Sequence, residues 1–150
     1  MGQWTKISVS AFMTAAPQTI GFDQTLETAH KMMRAGNFRH LPVLKQGELV
    51  GLISLGDLHL IETLSDVNPA ELTVDEAMSQ PVYVIHARAS LQSVCTAMAK
   101  HKYGCAVVTE KGKVVGLFTA NDALAALSAL LDPPRSRSSQ RNLIKTKELQ

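Results

Sequence analysis

The stretch Leu49-Val50-Gly51-Leu52-Ile53-Ser54-Leu55-Gly56-Asp57 returns 65 residues later as Val114-Val115-Gly116-Leu117-Phe118-Thr119-Ala120-Asn121-Asp122. Each copy begins apolar, breaks at a glycine, becomes apolar again and ends with a hydroxyl three residues before an acid. The register extends outward without a gap: residues 13–57 overlay residues 78–122, pairing Met13 with Met78, Ile20 with Ile85, Leu26 with Leu91, Met33 with Met98 and Val43 with Val108. Most paired positions are apolar or glycine, as a duplicated packing scheme would keep. Asp57 and Asp122 are the exception. An acid contributes nothing to an apolar core, so its recurrence suggests a duplicated site.

Upstream of the quoted stretch, Leu26, Ala29, His30 and Met33 recur at helical spacing after Thr25, and Leu91, Val94, Cys95 and Met98 do so after Ser90. Both segments read as amphipathic helices with hydroxyl N-caps, the first ending at Gly36 in a left-handed C-terminal conformation. His40-Leu41-Pro42-Val43-Leu44 and Leu49 to Ile53 flank Gln46-Gly47, while Cys105 to Val108 and Val114 to Phe118 flank Lys111-Gly112. Each is a hairpin signal. Short stretches at Thr19-Ile20 and Val82 to Ile85 add a strand before each helix. Every unit is thus strand, helix, strand, strand, helix, an α/β (α+β) fold of two small sheets flanked by helices. The first repeat is expected over 8–66, the second over 73–131, and a basic tail over 132–150.

A chain of 150 residues fits one compact module, and each repeat alone would bury too little surface to be stable. With 45% hydrophobic and 19% charged residues it reads as globular. No apolar run approaches the roughly 20 residues needed to span a bilayer, the N-terminus reads as neither signal peptide nor myristoylation site, and no membrane association is expected. Cys95 and Cys105 lack CxxC spacing, and His59 and His86 lack metal-ligand spacing, so neither a disulfide framework nor a metal site is indicated and cytoplasm is the default. Residues 1–131 carry 10 Lys/Arg against 11 Asp/Glu, whereas 132–150 carry 5 against 2. The basic excess belongs to the tail, which reads as a solvated end. Its lack of aromatic residues makes nucleic-acid binding the weaker reading.

Ser54-x-x-Asp57 and Thr119-x-x-Asp122 fall where a strand turns into the last helix of each unit. One reading is a capping box, in which hydroxyl and acid satisfy free amides of the helix start. The other is a ligand site, the helix N-terminus offering donors while the carboxylate accepts two hydrogen bonds from a ribose diol. The two roles can coexist.

The tandem units, their closing motif and Arg39-His40-Leu41-Pro42-Val43 at the start of the hairpin together resemble a CBS domain pair, a family named after cystathionine beta-synthase. The resemblance covers about residues 8–131. It implies a pseudo-twofold module with two clefts that bind AMP, ADP, ATP or S-adenosylmethionine. By that resemblance Asp57 and Asp122 hold ribose hydroxyls, with Ser54 and Thr119 near ribose or phosphate. Thr19, Ile20, His40, Leu41 and Pro42 line a first adenine pocket, and Val84, Ile85, Cys105, Ala106 and Val107 a second.

The second repeat has Tyr103-Gly104-Cys105-Ala106-Val107 where the first has Phe38-Arg39-His40-Leu41-Pro42, so the two pockets are chemically unequal. Gly104 either admits a ligand close to the backbone or relieves crowding. Arg39, Arg88, His101 and Lys102 are phosphate candidates, and the Asp57 cleft is expected to favour the more phosphorylated ligand because Arg39 and His40 enter its hairpin where the other has Gly104 and Cys105. His30 reads as a packed histidine and Cys105 as a small buried residue. No nucleophile, Walker loop or dinucleotide fingerprint accompanies the acids, so no enzyme activity and no catalytic cofactor are expected. The leading expectation is a regulatory module that senses an adenosine-containing ligand and acts in trans on a client protein. The alternative is a ligand-free dimerisation or adaptor module whose acids are only caps. The nearly all-apolar helix ending at Leu131, with Leu58, Leu60, Ile61 and Leu64 in the first unit, predicts a homodimer.

Overall fold

The computed structural model describes residues 6–132; the tail from 133 onward lies outside the described residues. Among these the elements run β1 (Thr14–Ala15), β2 (Ile20–Gly21), α1 (Leu26–Gly36), β3 (His40–Lys45), β4 (Glu48–Ser54) and α2 (Leu55–Glu62). The second half follows as β5 (Val84–His86), α3 (Leu91–His101), β6 (Cys105–Glu110), β7 (Lys113–Thr119) and α4 (Ala120–Leu131), and 3-10 turns at Val9–Ala11 and Val74–Glu76 precede the two halves. Apart from the additional strand β1, the order of strands and helices is the one the repeat predicts, and the fold is mixed α/β.

Local chemistry accounts for the boundaries. Thr25 and Ser90 cap α1 and α3, each hydroxyl accepting from the backbone N–H three residues on. The left-handed residue that ends α1 is Asn37, at φ 53°, and not Gly36. Gly36 is the last helical residue, and its missing side chain makes room for the Phe38 ring, which lies where a Cβ would be. Lys102 takes the same left-handed role after α3, at φ 59°. Both hairpins close through two residues at positive φ, Gln46-Gly47 at 52° and 81° and Lys111-Gly112 at 52° and 76°. Such a turn matches the twist of the flanking strands.

The strands form two sheets, β2-β3-β4 and β1-β7-β6-β5, with β2 and β5 parallel to their neighbours and both hairpins antiparallel. The lead-in to each repeat packs on the other repeat. Strand β1, at the start of the first unit, pairs with β7 of the second through Thr14 opposite Leu117, and Ser79, at the start of the second unit, bridges Leu52 of β4. The exchange repeats at the same 65-residue offset in backbone hydrogen bonds: Val9 N–H donates to Ala89 and Leu91 N–H to Ile7, while Val74 N–H donates to Gln24 and Leu26 N–H to Leu72. This regularity is the pseudo-twofold symmetry of the molecule.

The exchange explains two residue pairs that the repeat keeps. A Cβ on Gly51 would collide with the Met78 thioether, and one on Gly116 with that of Met13, at 2.5 Å. Each methionine crosses a bare strand of the opposite half. The cores are mixed in the same way: Val9 is fully buried among Leu91, Val94, Met98, Val108 and Phe118, and Val74 among Leu26, Met33, Leu41, Ile53 and Leu58. A third cluster, Cys105, Val107 and Leu117 with Leu49, Leu52, Val82 and Val114, joins the two sheets to each other.

Candidate functional site

Both Ser/Thr-x-x-Asp motifs are capping boxes. The Ser54 hydroxyl accepts from Asp57 N–H at 3.1 Å while Asp57 Oδ2 accepts from Ser54 N–H at 2.9 Å, and Thr119 and Asp122 repeat this at 3.2 and 2.9 Å. The two carboxylates differ in their remaining oxygen. Asp122 Oδ1 accepts from the Thr14 hydroxyl at 3.2 Å, and its Oδ2 takes a further bond from the Thr119 hydroxyl at 3.0 Å. Among the described residues the only donor to Asp57 is Ser54 N–H, on Oδ2. Asp57 Oδ1 is therefore left for another partner.

Asp57 opens into a cavity of about 630 Å³ at the junction of the halves. Its walls are His40, Leu52, Ser54 and Asp57 of the first half, and Ser79, Pro81, Val82, Tyr83, Val84 and Lys102 to Cys105 of the second. The pseudo-twofold packing sets the start of α2 against the starts of β5 and β6. Of the residues expected to bind nucleotide, this cavity gathers His40, Ser54, Asp57, Val84 and Cys105, together with the phosphate candidate Lys102. Ile20, Leu41, Ile85 and Ala106 are instead buried in the two cores, Val107 lies between the sheets, and Pro42 is fully buried. Thr19, Thr119, Asp122, Arg39, Arg88 and His101 are not among its walls.

Arg39 is not among the cavity walls, although its carbonyl accepts from Leu55 N–H at the start of α2. The residues facing Asp57 from the other half include Lys102 and Gly104, and Gly104 is the repeat equivalent of Arg39. Nothing lies within 4 Å of a Cβ placed on Gly104, which removes relief of crowding as its reason.

Reasoning from sequence missed the aromatic wall. Tyr83 and Tyr103 both line the cavity with rings stacked at 4.9 Å, and His101 stacks on Tyr103 at 5.2 Å. The signal was the aromatic pair itself, since the first repeat has Gln18 and Phe38 at those positions.

Burial shapes the titratable groups. His40 is held below the usual histidine range, first by desolvation and then by Arg39, with the Asp57 charge opposing both. Burial, aided by Asp122, pushes the Cys105 thiol up to about 12, which leaves it a poor nucleophile. His30 is half-buried among polar neighbours and not within the apolar core, with Nδ1 2.7 Å from Glu62 Oε1 and its ring against His59. No three His, Cys, Asp or Glu among the described residues are placed to hold a metal ion.

The CBS domain family model matches residues 9–60 and 74–129, most of the chain. Among solved structures, a protein assigned to acetoin utilization (AcuB) from Vibrio cholerae is 30% identical, with a TM-score of 0.73 over 85% of this chain and 98% of that one. The CBS domain pair of protein MJ0100, in complex with 5-methylthioadenosine and S-adenosyl-L-methionine, is 22% identical, with a TM-score of 0.72 over 82% of this chain and 97% of that one. CBSX2 in complex with AMP is 20% identical, with a TM-score of 0.69 over 83% and 98%.

Proposed function

We propose, from the premise that this chain belongs to the CBS domain family and carries two copies in tandem, that it is a regulatory module sensing an adenosine-containing ligand. The observation that carries this reading is the cavity itself: its walls come from both halves, and Asp57 lines it with Oδ1 taking no hydrogen bond among the described residues. A molecule filling it touches both halves at once and favours whichever relative placement it binds better, which is what a sensor requires. The adenosine complexes of similarly folded pairs support the class of ligand.

On this reading the ligand is AMP, ADP, ATP or S-adenosylmethionine, and the module acts on a client protein and not as an enzyme. The one thiol in the cavity is held protonated by burial and the nearby Asp122 charge. Cys95 and Cys105 are both free, in keeping with a cytoplasmic setting. No helix among the described residues is long and apolar enough to cross a membrane.

A second reading has its own observation. Capping alone accounts for both acids, and Leu60, Leu64, Leu124, Leu127 and Leu131 are more than half exposed, a surface suited to self-association in an adaptor. Thermal unfolding separates the two readings. A ligand at about 100 times its dissociation constant stabilises the fold by roughly 2.7 kcal/mol. Asp57→Asn, which still caps α2, is expected to keep the unliganded melting temperature and lose most of that shift. An unchanged melting temperature with every adenosine ligand tried would leave the adaptor reading in place.

A further inference from the structure

The cavity beside Asp57 has a charge inventory that limits what it can hold. Among the described residues Asp57 is its one acidic wall and Lys102 its one Lys or Arg, and His40 is held toward its neutral form by burial. Arg39 and Arg88 lie outside it. An anionic group therefore finds one full positive charge, on Lys102, and must sit in the same space as a carboxylate.

The other walls are equally selective. Tyr83 and Tyr103 present a stacked aromatic pair to one side of the cavity, with His101 stacked on Tyr103, and Leu52, Pro81 and Val82 supply apolar surface. A flat heteroaromatic base gains from such a wall by stacking and by burial. Asp57 Oδ1 is left to accept from a hydroxyl.

The repeat-related positions lack the tyrosine pair. By the 65-residue offset Lys102, Tyr103, Gly104 and Tyr83 correspond to Asn37, Phe38, Arg39 and Gln18, and Thr14 already donates to Asp122 Oδ1.

We propose that the Asp57 cavity is the principal ligand site of this chain and that it selects a nucleoside monophosphate over a triphosphate, with Lys102 as the phosphate partner and the Tyr83–Tyr103 stack as the base wall. The proposal deepens the sensing function and rests on it. A second and third phosphate add negative charge for which the described walls hold no further Lys or Arg, and which Asp57 repels. Lys102 sets affinity for the phosphate, and the tyrosines set affinity for the base.

Calorimetry on the full chain, with adenosine, AMP and ATP in buffer free of divalent cations, tests this. AMP is expected to bind at least about tenfold more tightly than either adenosine or ATP, the scale of one charge-assisted contact. Lys102→Asn copies the residue that the first half carries at this left-handed position. It should reduce AMP to the affinity of adenosine, leave adenosine unchanged and flatten the salt dependence of AMP binding. Tyr83→Gln should weaken all three ligands by a similar factor. Tighter binding of ATP than AMP, or an AMP affinity that survives Lys102→Asn, overturns the proposal while leaving nucleotide sensing intact. Binding of none of the three overturns both.

Discussion

At the scale of single residues, the repeat keeps glycine where a side chain from the other half must pass. Gly51→Ala would drive a Cβ into Met78, and overpacking of this kind costs about 1–3 kcal/mol. In urea unfolding, Gly51→Ala combined with Met78→Ala should destabilise by less than the sum of the single changes; simple additivity would show that the methionine is not the obstacle. His40 yields a pH prediction. Its folded value lies below its unfolded value near 6.5, so between the two the unfolded chain binds more protons and stability rises with pH. Acidification from pH 7 to 5 should therefore lower the melting temperature of the parent more than that of His40→Gln. Equal slopes would show that another group governs the acid limb.

At the scale of elements, the helices and hairpins were legible because each rests on local signals: helical spacing after Thr25 and Ser90, and a glycine at the second position of each two-residue turn. The partner of each lead-in was not. Met13 and Met78 match equally well to Gly51 or Gly116, so a duplicated sequence cannot say whether a segment packs on its own copy or on the other. The same ambiguity hid half of the site. Asp57 stood out as a motif, but its facing residues, Lys102, Gly104 and the two tyrosines, depend on which half lies opposite. The exchange is testable through Val9, which is fully buried in the second core. Val9→Ala removes two methyl groups and is expected to cost about 2 kcal/mol. Amide hydrogen exchange should quicken first in α3, β6 and β7; quickening confined to α1 and β3 would contradict the assignment.

At the scale of the whole molecule, α4 carries Leu124, Leu127 and Leu131 on one exposed stripe, and Leu60 of α2 and Leu64 just after it are exposed as well. Light scattering at tens of micromolar should give twice the 16.2 kDa chain mass, and Leu124→Glu with Leu127→Glu should return it to one chain without loss of helical circular dichroism. A parent that already scatters as a single chain would refute the dimer. The crossed lead-ins also fix an order of events for a chain leaving the ribosome. The first core cannot close until Val74 and Met78 have emerged, well after the repeat they complete. Thr14 must wait for Leu117, more than a hundred residues behind it. The molecule is thus wound like a clasp whose opening segment is fastened last, and severing the chain between its copies would leave two pieces that each lack the segment held by the other.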